Sequence, residues 1–305
     1  MRPGEWSQLD AGAEQEGALS LAICPTDPDI RYLGALDGLY HWSVANSKWE
    51  PVLQTQGADP VPGNVRDVRL RGQVGEGCDE VYAAALENGL WRVRAKTATP
   101  LHRPNTSPVR SLAFRDNFLF AGTDEGIRVY NVNNDQWQDI DTGVTNLITR
   151  QSETGTRIFA AAWTVGIRVN DVCETNNCAW EEVLLPTDNA FVRDVVGSAG
   201  GAPDKPDWMV AATSAGVVHW DGQAWEIPTF PPQPAGNVFA LAQSSDGIVF
   251  AAVGGGGIWA SNANNRGDVW YEIGQLHRPV IDLVVVDDWL YATSTNEGIW
   301  RWPLR

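Results

Sequence analysis

Seven times along the chain an apolar run reaches a turn glycine and a second apolar or aromatic run follows, and this repetition is the strongest constraint on what the chain can fold into. The copies are YLGALDGLYHW, VYAAALENGLWRV, LFAGTDEGIRVY, IFAAAWTVGIRVN, MVAATSAGVVHW, VFAAVGGGGIWAS and LYATSTNEGIWRW. The shared glycine stands at Gly38, Gly89, Gly126, Gly166, Gly216, Gly257 and Gly298, at intervals of 37 to 51 residues. A period of this length, with apolar strands punctuated by turn residues, is that of a four-stranded propeller blade, which buries its faces only against its neighbours. The expected architecture is all-β: a seven-bladed β-propeller with four-stranded blades.

Each copy divides into four strands. The inner strands read ALSLAIC, VRDVRLR, VRSLAFR, VTNLITR, VRDVVGS, VFALAQS and VIDLVVV. The second and third strands flank the glycine, which takes positive φ in the hairpin turn without a Cβ penalty. A tryptophan marks the outer strand at Trp49, Trp137, Trp180, Trp225 and Trp270, and blade two lacks it. The last blade stops at WPLR after its third strand, while GEWSQLD near the N-terminus carries Trp6 in the same setting. Residues 4–10 are therefore expected to supply the missing outer strand, closing the ring and removing an exposed edge. Residues 1–305 are read as one propeller domain.

A net charge of -16 without a basic run excludes phosphate-driven binding of nucleic acid. The acids are dispersed and either serve solubility, the favoured reading, or recruit a basic partner or calcium. No apolar stretch approaches the ~20 residues of a membrane span, and MRPGEWSQ has neither the basic start nor the apolar core of a signal peptide. The chain is expected to be cytoplasmic, or extracytoplasmic if Met1 replaces a removed signal. No cofactor or metal motif is present: His41 and His219 repeat one packing position, His102 and His277 lie in loops, and GGGG at 254–257 lacks the lysine and helix of a phosphate loop. Arg266, Gly267 and Asp268 form a tripeptide that arises easily by chance.

Four cysteines are too few for a disulfide scaffold. Cys173 and Cys178 in VCETNNCAW bracket a turn in blade four, where a cross-hairpin disulfide is geometrically reasonable. Cys24 and Cys78 follow the inner strands of adjacent blades and either pair or stay as buried thiols. A bridge would imply an oxidising compartment.

Loops entering the inner strands and the turns after the second strands share one propeller face, so the second residue of each inner strand borders any site there. These residues are Leu19, Arg66, Arg110, Thr145, Arg193, Phe239 and Ile281. Arg66, Arg110 and Arg193 are expected to converge and to bind a carboxylate or phosphate through paired hydrogen bonds. The next positions, Asp67, Asp194 and Asp282, offer the alternative of structural ion pairs. The turns are mostly small and polar, as at Asp37, Asn88, Asp124, Ser214 and Asn296, but blade four places Trp163 there, either exposed for stacking on a sugar or peptide or filling space between blades. The candidate ligand-binding set is Arg66, Arg110, Arg193, Trp163 and Phe239. Insertions lengthen blades two, four and five, mostly on the opposite face, which is either a partner-docking surface or a place where loop length has drifted.

The segments NVFALAQSSDGIVFAAVGGGGIW and PVRSLAFRDNFLFAGTDEGIRVY resemble the sensor-propeller repeats of bacterial two-component regulators, and the correspondence extends in weaker form over all seven blades. DGLYHWSVANSKWEPV and GGIWASNANNRGDVWYEI are similar to degenerate sialidase-type (Asp-box) repeats, without an intact box. These resemblances imply a propeller, and a fold alone does not name a chemistry. The favoured function is a non-catalytic binding or scaffold module for a protein, peptide or glycan, expected to be monomeric. The alternative is a glycan-directed hydrolase or lyase holding a carboxylate with the three arginines, for which no tyrosine offers an obvious nucleophile.

Overall fold

The computed structural model describes residues 5–9, 17–55, 59–71, 78–101, 108–138, 148–154, 157–163, 166–170, 173–174, 177–178, 180–183, 185, 191–198, 201–202, 205–227, 236–261, 269–295 and 297–304. Among them the chain contains no helix and pairs into seven antiparallel blades, which group into two compact units. The first unit, Met1–Val109 with Leu276–Arg305, holds blades 1, 2 and 7; the second, Arg110–Gln275, holds blades 3 to 6.

In blades 1 and 3 to 6 the strands are hydrogen-bonded in chain order, inner to outer, which short turns between antiparallel strands impose. Blade 5, for example, runs Val192–Gly197, Met209–Thr213, Gly216–Trp220 and Trp225–Glu226. The repeated turn glycine has the expected backbone: Gly89, Gly126, Gly166, Gly216 and Gly298 lie at φ between +72° and +124°. In blade 6 the left-handed residues are instead Gly255 and Gly256, at +128° and +89°, so the positive φ comes before the glycine aligned by sequence.

Two elements depart from the simple repeat. Blade 7 takes its outer strand from the other end of the chain: Ser7–Leu9 pairs antiparallel with Gly298–Pro303, Leu9 opposite Ile299. Blade 2 gains a fifth strand, because Leu53–Gln54 pairs in parallel with its outer strand Thr97–Pro100. The Trp that this outer strand lacks is replaced from the third strand: Trp91, 4% exposed, shares an apolar cluster with Ala22, Tyr32 and Leu39 of blade 1. Outer-strand tryptophans do the same in blades 1, 4 and 6. Trp49 of blade 1 clusters with Val286 and Tyr291 of blade 7, Trp270 of blade 6 with Val210 of blade 5, and Trp180 of blade 4 stands edge-on to Phe120 of blade 3. Each such indole removes a large apolar area from water against the preceding blade, so blade stacking within each unit rests on it.

Cys24, at the end of the inner strand of blade 1, and Cys78, just before the second strand of blade 2, form a disulfide with Cα atoms 5.8 Å apart. Of the two states the sequence allowed for this pair, the bonded one is found. Cys173 and Cys178 stand opposite one another in a short antiparallel hairpin; their side chains lie outside the described residues.

Candidate functional site

A β-bulge explains why the second residue of the inner strand is special. In blade 5, Val192 pairs with Thr213 and Asp194 with Ala212, so Arg193 is left between two ladder positions. The same slip leaves out Leu19, Arg66, Phe239 and Ile281. A bulge takes one residue out of the pairing and re-aims its side chain. In blade 4 the register differs from the sequence expectation: Ile148 and Arg150 pair with Ala162 and Ala161, so the bulged residue is Thr149, four positions past Thr145, which lies outside the described residues. The run VTNLITR carries valine, leucine and isoleucine as rival starts, and only pairing with the second strand selects among them.

The turn and the strand entry meet on one edge of the blade, as the sequence reading required. The first residue after the second strand donates its N–H to the carbonyl just before the inner strand: Leu36 to Gly17, Leu86 to Asn64, Ser214 to Phe191 and Gly254 to Asn237.

The third inner-strand residue is buried and holds the neighbouring blade. Asp194 accepts the N–H of Val195 at 2.8 Å and that of Leu241, in blade 6, at 2.8 Å. Asp282 accepts the N–H of Leu21 in blade 1 at 3.2 Å, and the Ser20 hydroxyl accepts that of Val68 in blade 2 at 3.2 Å. Inner strands are sheet edges whose N–H groups lack a ladder partner, and these side chains satisfy them without water. Asp67, 1% exposed, lies 3.2 Å from Arg69 and accepts from Ser20 at 3.5 Å.

Of the candidate residues, the structure brings Arg193, Trp163 and Phe239 together. The Arg193 guanidinium lies 5.5 Å from the Trp163 ring centre and 4.9 Å from that of Phe239. Trp163 stacks on Phe191 at 4.6 Å with the ring planes 16° apart. Three successive blades contribute: Trp163 opens the turn of blade 4, Phe191 and Arg193 enter blade 5, and Phe239 is the bulged residue of blade 6. Arg193 donates to the Asn237 side-chain carbonyl at 3.4 Å, while its buried Nε has no hydrogen-bond partner among the described residues. Burial lowers the Arg193 pKa from its ordinary value, the direction expected when a cation is desolvated without a compensating anion. Gly254 lets Phe239 lie close to the turn, since a Cβ there would stand 3.1 Å from the Phe239 ring and 3.2 Å from the Asn237 carbonyl.

Arg110 is placed differently. It is hydrogen-bonded and ion-paired to Asp124, the first residue after the second strand of its own blade. The equivalent residue in blade 5 is Ser214, whose hydroxyl accepts the Phe191 N–H at 3.1 Å. Arg66 belongs to the first unit, as the half-buried bulged residue of blade 2. Phe191 and Asn237 were not singled out from sequence. The signal was present: the residue before the inner strand is Gly17, Asn64, Pro108, Asn237 or Pro279 in other blades, and phenylalanine at that loop position is out of character. His102, Asn296 and the Arg266–Gly267–Asp268 tripeptide lie outside the described residues.

No family model matches the chain, and no curated protein matches it. Solved structures do. The RRP9 WD40 repeats align with a TM-score of 0.68 at 12% identity, covering 95% of each chain. The computationally designed Ika8 protein aligns with a TM-score of 0.63 at 15% identity, covering 95% of this chain and 96% of that one. WD40 repeats build propeller blades of four strands, so these likenesses establish the β-propeller fold. At such identities they establish the fold alone.

Proposed function

We propose that this protein is a non-catalytic binding module for a protein, peptide or glycan and that the turn edge of blades 4 to 6 is its binding surface. The carrying observation is the assembly of Trp163, Phe191, Arg193 and Phe239 there, with Phe191 39% exposed and Arg193 joined to no carboxylate among the described residues. Aromatic and arginine side chains at the centre of a rigid patch are the residues that dominate binding energies. The resemblance of the repeats to sensor propellers fits a receptor role. The hydrolase alternative asks Arg110 to hold a substrate carboxylate, and its guanidinium is committed to Asp124. The Cys24–Cys78 bridge supports residence in an oxidising compartment.

Site-specific photo-crosslinking tests the surface. A benzophenone amino acid in place of Phe191 is expected to capture a partner from host extract, whereas the same group at Ile227, 57% exposed beside the outer strand of blade 5, is not. Equal capture at both positions, or capture at Ile227 alone, would remove the assignment of this face.

A further inference from the structure

The contrast between blades 3 and 5 points to a ligand chemistry. Both place an arginine at the second position of the inner strand. Blade 3 supplies an internal anion from the adjoining turn, Asp124; blade 5 puts Ser214 at that place and spends its hydroxyl on a backbone N–H. The Arg193 guanidinium is instead held by two aromatic rings and one side-chain amide. Such a fork is oriented in advance, so little freedom is lost when two parallel N–H donors meet a carboxylate.

We propose that Arg193 is the receptor for a carboxylate on an acidic peptide segment, with the neighbouring apolar side chain of that segment resting on Phe191 and Trp163. The proposal rests on the reading of this face as the binding surface. Three observations select a peptide carboxylate. Arg193 is paired with no carboxylate among the described residues of a chain of net charge -16, so an anion is attracted there although the molecule as a whole repels one. A single arginine balances one negative charge, which suits a carboxylate better than a phosphate dianion beside an acidic protein. The surroundings are aromatic: hydrogen bonds in the cluster come from Arg193, Asn237 and Ser214, and no carboxylate among the described residues stands ready to accept from the hydroxyls of a sugar. In contrast, Phe191 presents apolar area that a leucine or phenylalanine side chain would cover.

The test uses the full chain with its Cys24–Cys78 bridge intact. Random hexapeptides displayed on phage are selected against it, and binding is then measured by fluorescence anisotropy with a fluorescein-labelled peptide amide of sequence Gly-Ser-Phe-Glu-Leu-Gly and its glutamine counterpart. Selected peptides should pair an acid with an adjacent apolar residue, and the glutamine peptide should bind about 10-fold more weakly or worse. Arg193→Gln should cause a similar loss, with little further loss when both changes are combined. Ser214→Asp leaves Arg193 in place and installs the anion of blade 3; it should abolish binding of the acidic peptide with an unchanged melting curve. Affinity should fall as salt rises.

Selection of peptides without an acid, acid-dependent binding indifferent to both Arg193→Gln and Ser214→Asp, or failure of every peptide while a sialylated glycan binds through Arg193 would each overturn the proposal. If crosslinking at Phe191 succeeds while acidic peptides fail, the face stands and the carboxylate assignment falls. If both fail, the reading of the face falls with it.

Discussion

Cutting the Cys24–Cys78 bridge should be the largest single covalent perturbation of the first unit. The two residues are 54 apart in sequence, so the bond closes a loop containing most of blade 1 and the inner strand of blade 2. On the chain-entropy model a loop of that length restricts the unfolded ensemble by about 4 kcal/mol at 25 °C, roughly a thousandfold in the folding equilibrium. Both half-cystines are buried, Cys24 to 1% and Cys78 to 6% exposure, so alanine is the substitution that adds no buried hydroxyl. Urea unfolding followed by tryptophan fluorescence should show Cys24→Ala and Cys78→Ala each losing about 4 kcal/mol, with about 1 kcal/mol more for lost packing. The double variant should lose little more than either single one, because one substitution already opens the crosslink. The denaturant slope should rise in all three, since an uncrosslinked chain exposes more surface when it unfolds. If the double variant loses the sum of the two single losses, the cysteines act as independent packing residues. If mild reduction of the parent chain changes nothing, the entropic reasoning fails.

Asp194→Ala strands the buried N–H groups of Val195 and Leu241 and should destabilise the second unit by about 2–5 kcal/mol, while Asp194→Asn, which keeps one acceptor, should lose less; equal losses in urea titrations would contradict the inter-blade role. Burial raises the pKa of Glu80, but hydrogen bonds from Arg71 and Arg94 outweigh it and hold the carboxyl below its ordinary value. Its stabilisation should therefore be complete above about pH 4.5 and fade as pH falls through the lower folded value, and Glu80→Gln should flatten the stability profile in that interval. Removing residues 1–9 strips Ser7–Leu9 from Gly298–Pro303 and bares an edge strand, so the shortened chain should be less stable and self-associate on size exclusion. We propose that Cys173 and Cys178, which face each other across their hairpin, are bonded; peptide mapping under non-reducing conditions should recover them as one linked fragment.

Some of the candidate site is legible in the sequence. The repeat placed Arg193, Phe239 and Trp163 on one edge because turns and strand entries recur at fixed offsets from Gly166, Gly216 and Gly257. What that reading could not do was rank the arginines. Arg110 and Arg193 occupy equivalent positions in their blades, and the difference between them lies in Asp124 and Ser214, which reach the guanidinium only when strand and turn are folded together. The aspartates beside the arginines were open to an ion-pair reading on grounds of adjacency. In the bulged strand, neighbours in sequence part company: Asp194 bonds the backbone of the next blade and pairs with Arg150 of the preceding one, and Asp67 pairs with Arg69, so the ion pairs form with other arginines than the adjacent ones.

The number of blades, the order of their strands and the completion of blade 7 by Ser7–Leu9 follow from the sequence, because period-two patterning and turn glycines act over a few residues and repeat. The blade 4 register, the Cys24–Cys78 bridge, the replacement of a missing indole by Trp91 and the stacking of Arg193 between Trp163 and Phe239 were decided by tertiary structure alone. Each depends on distances between residues tens of positions apart. Those distances are set only when one blade packs against the next, by side chains that no local pattern ranks.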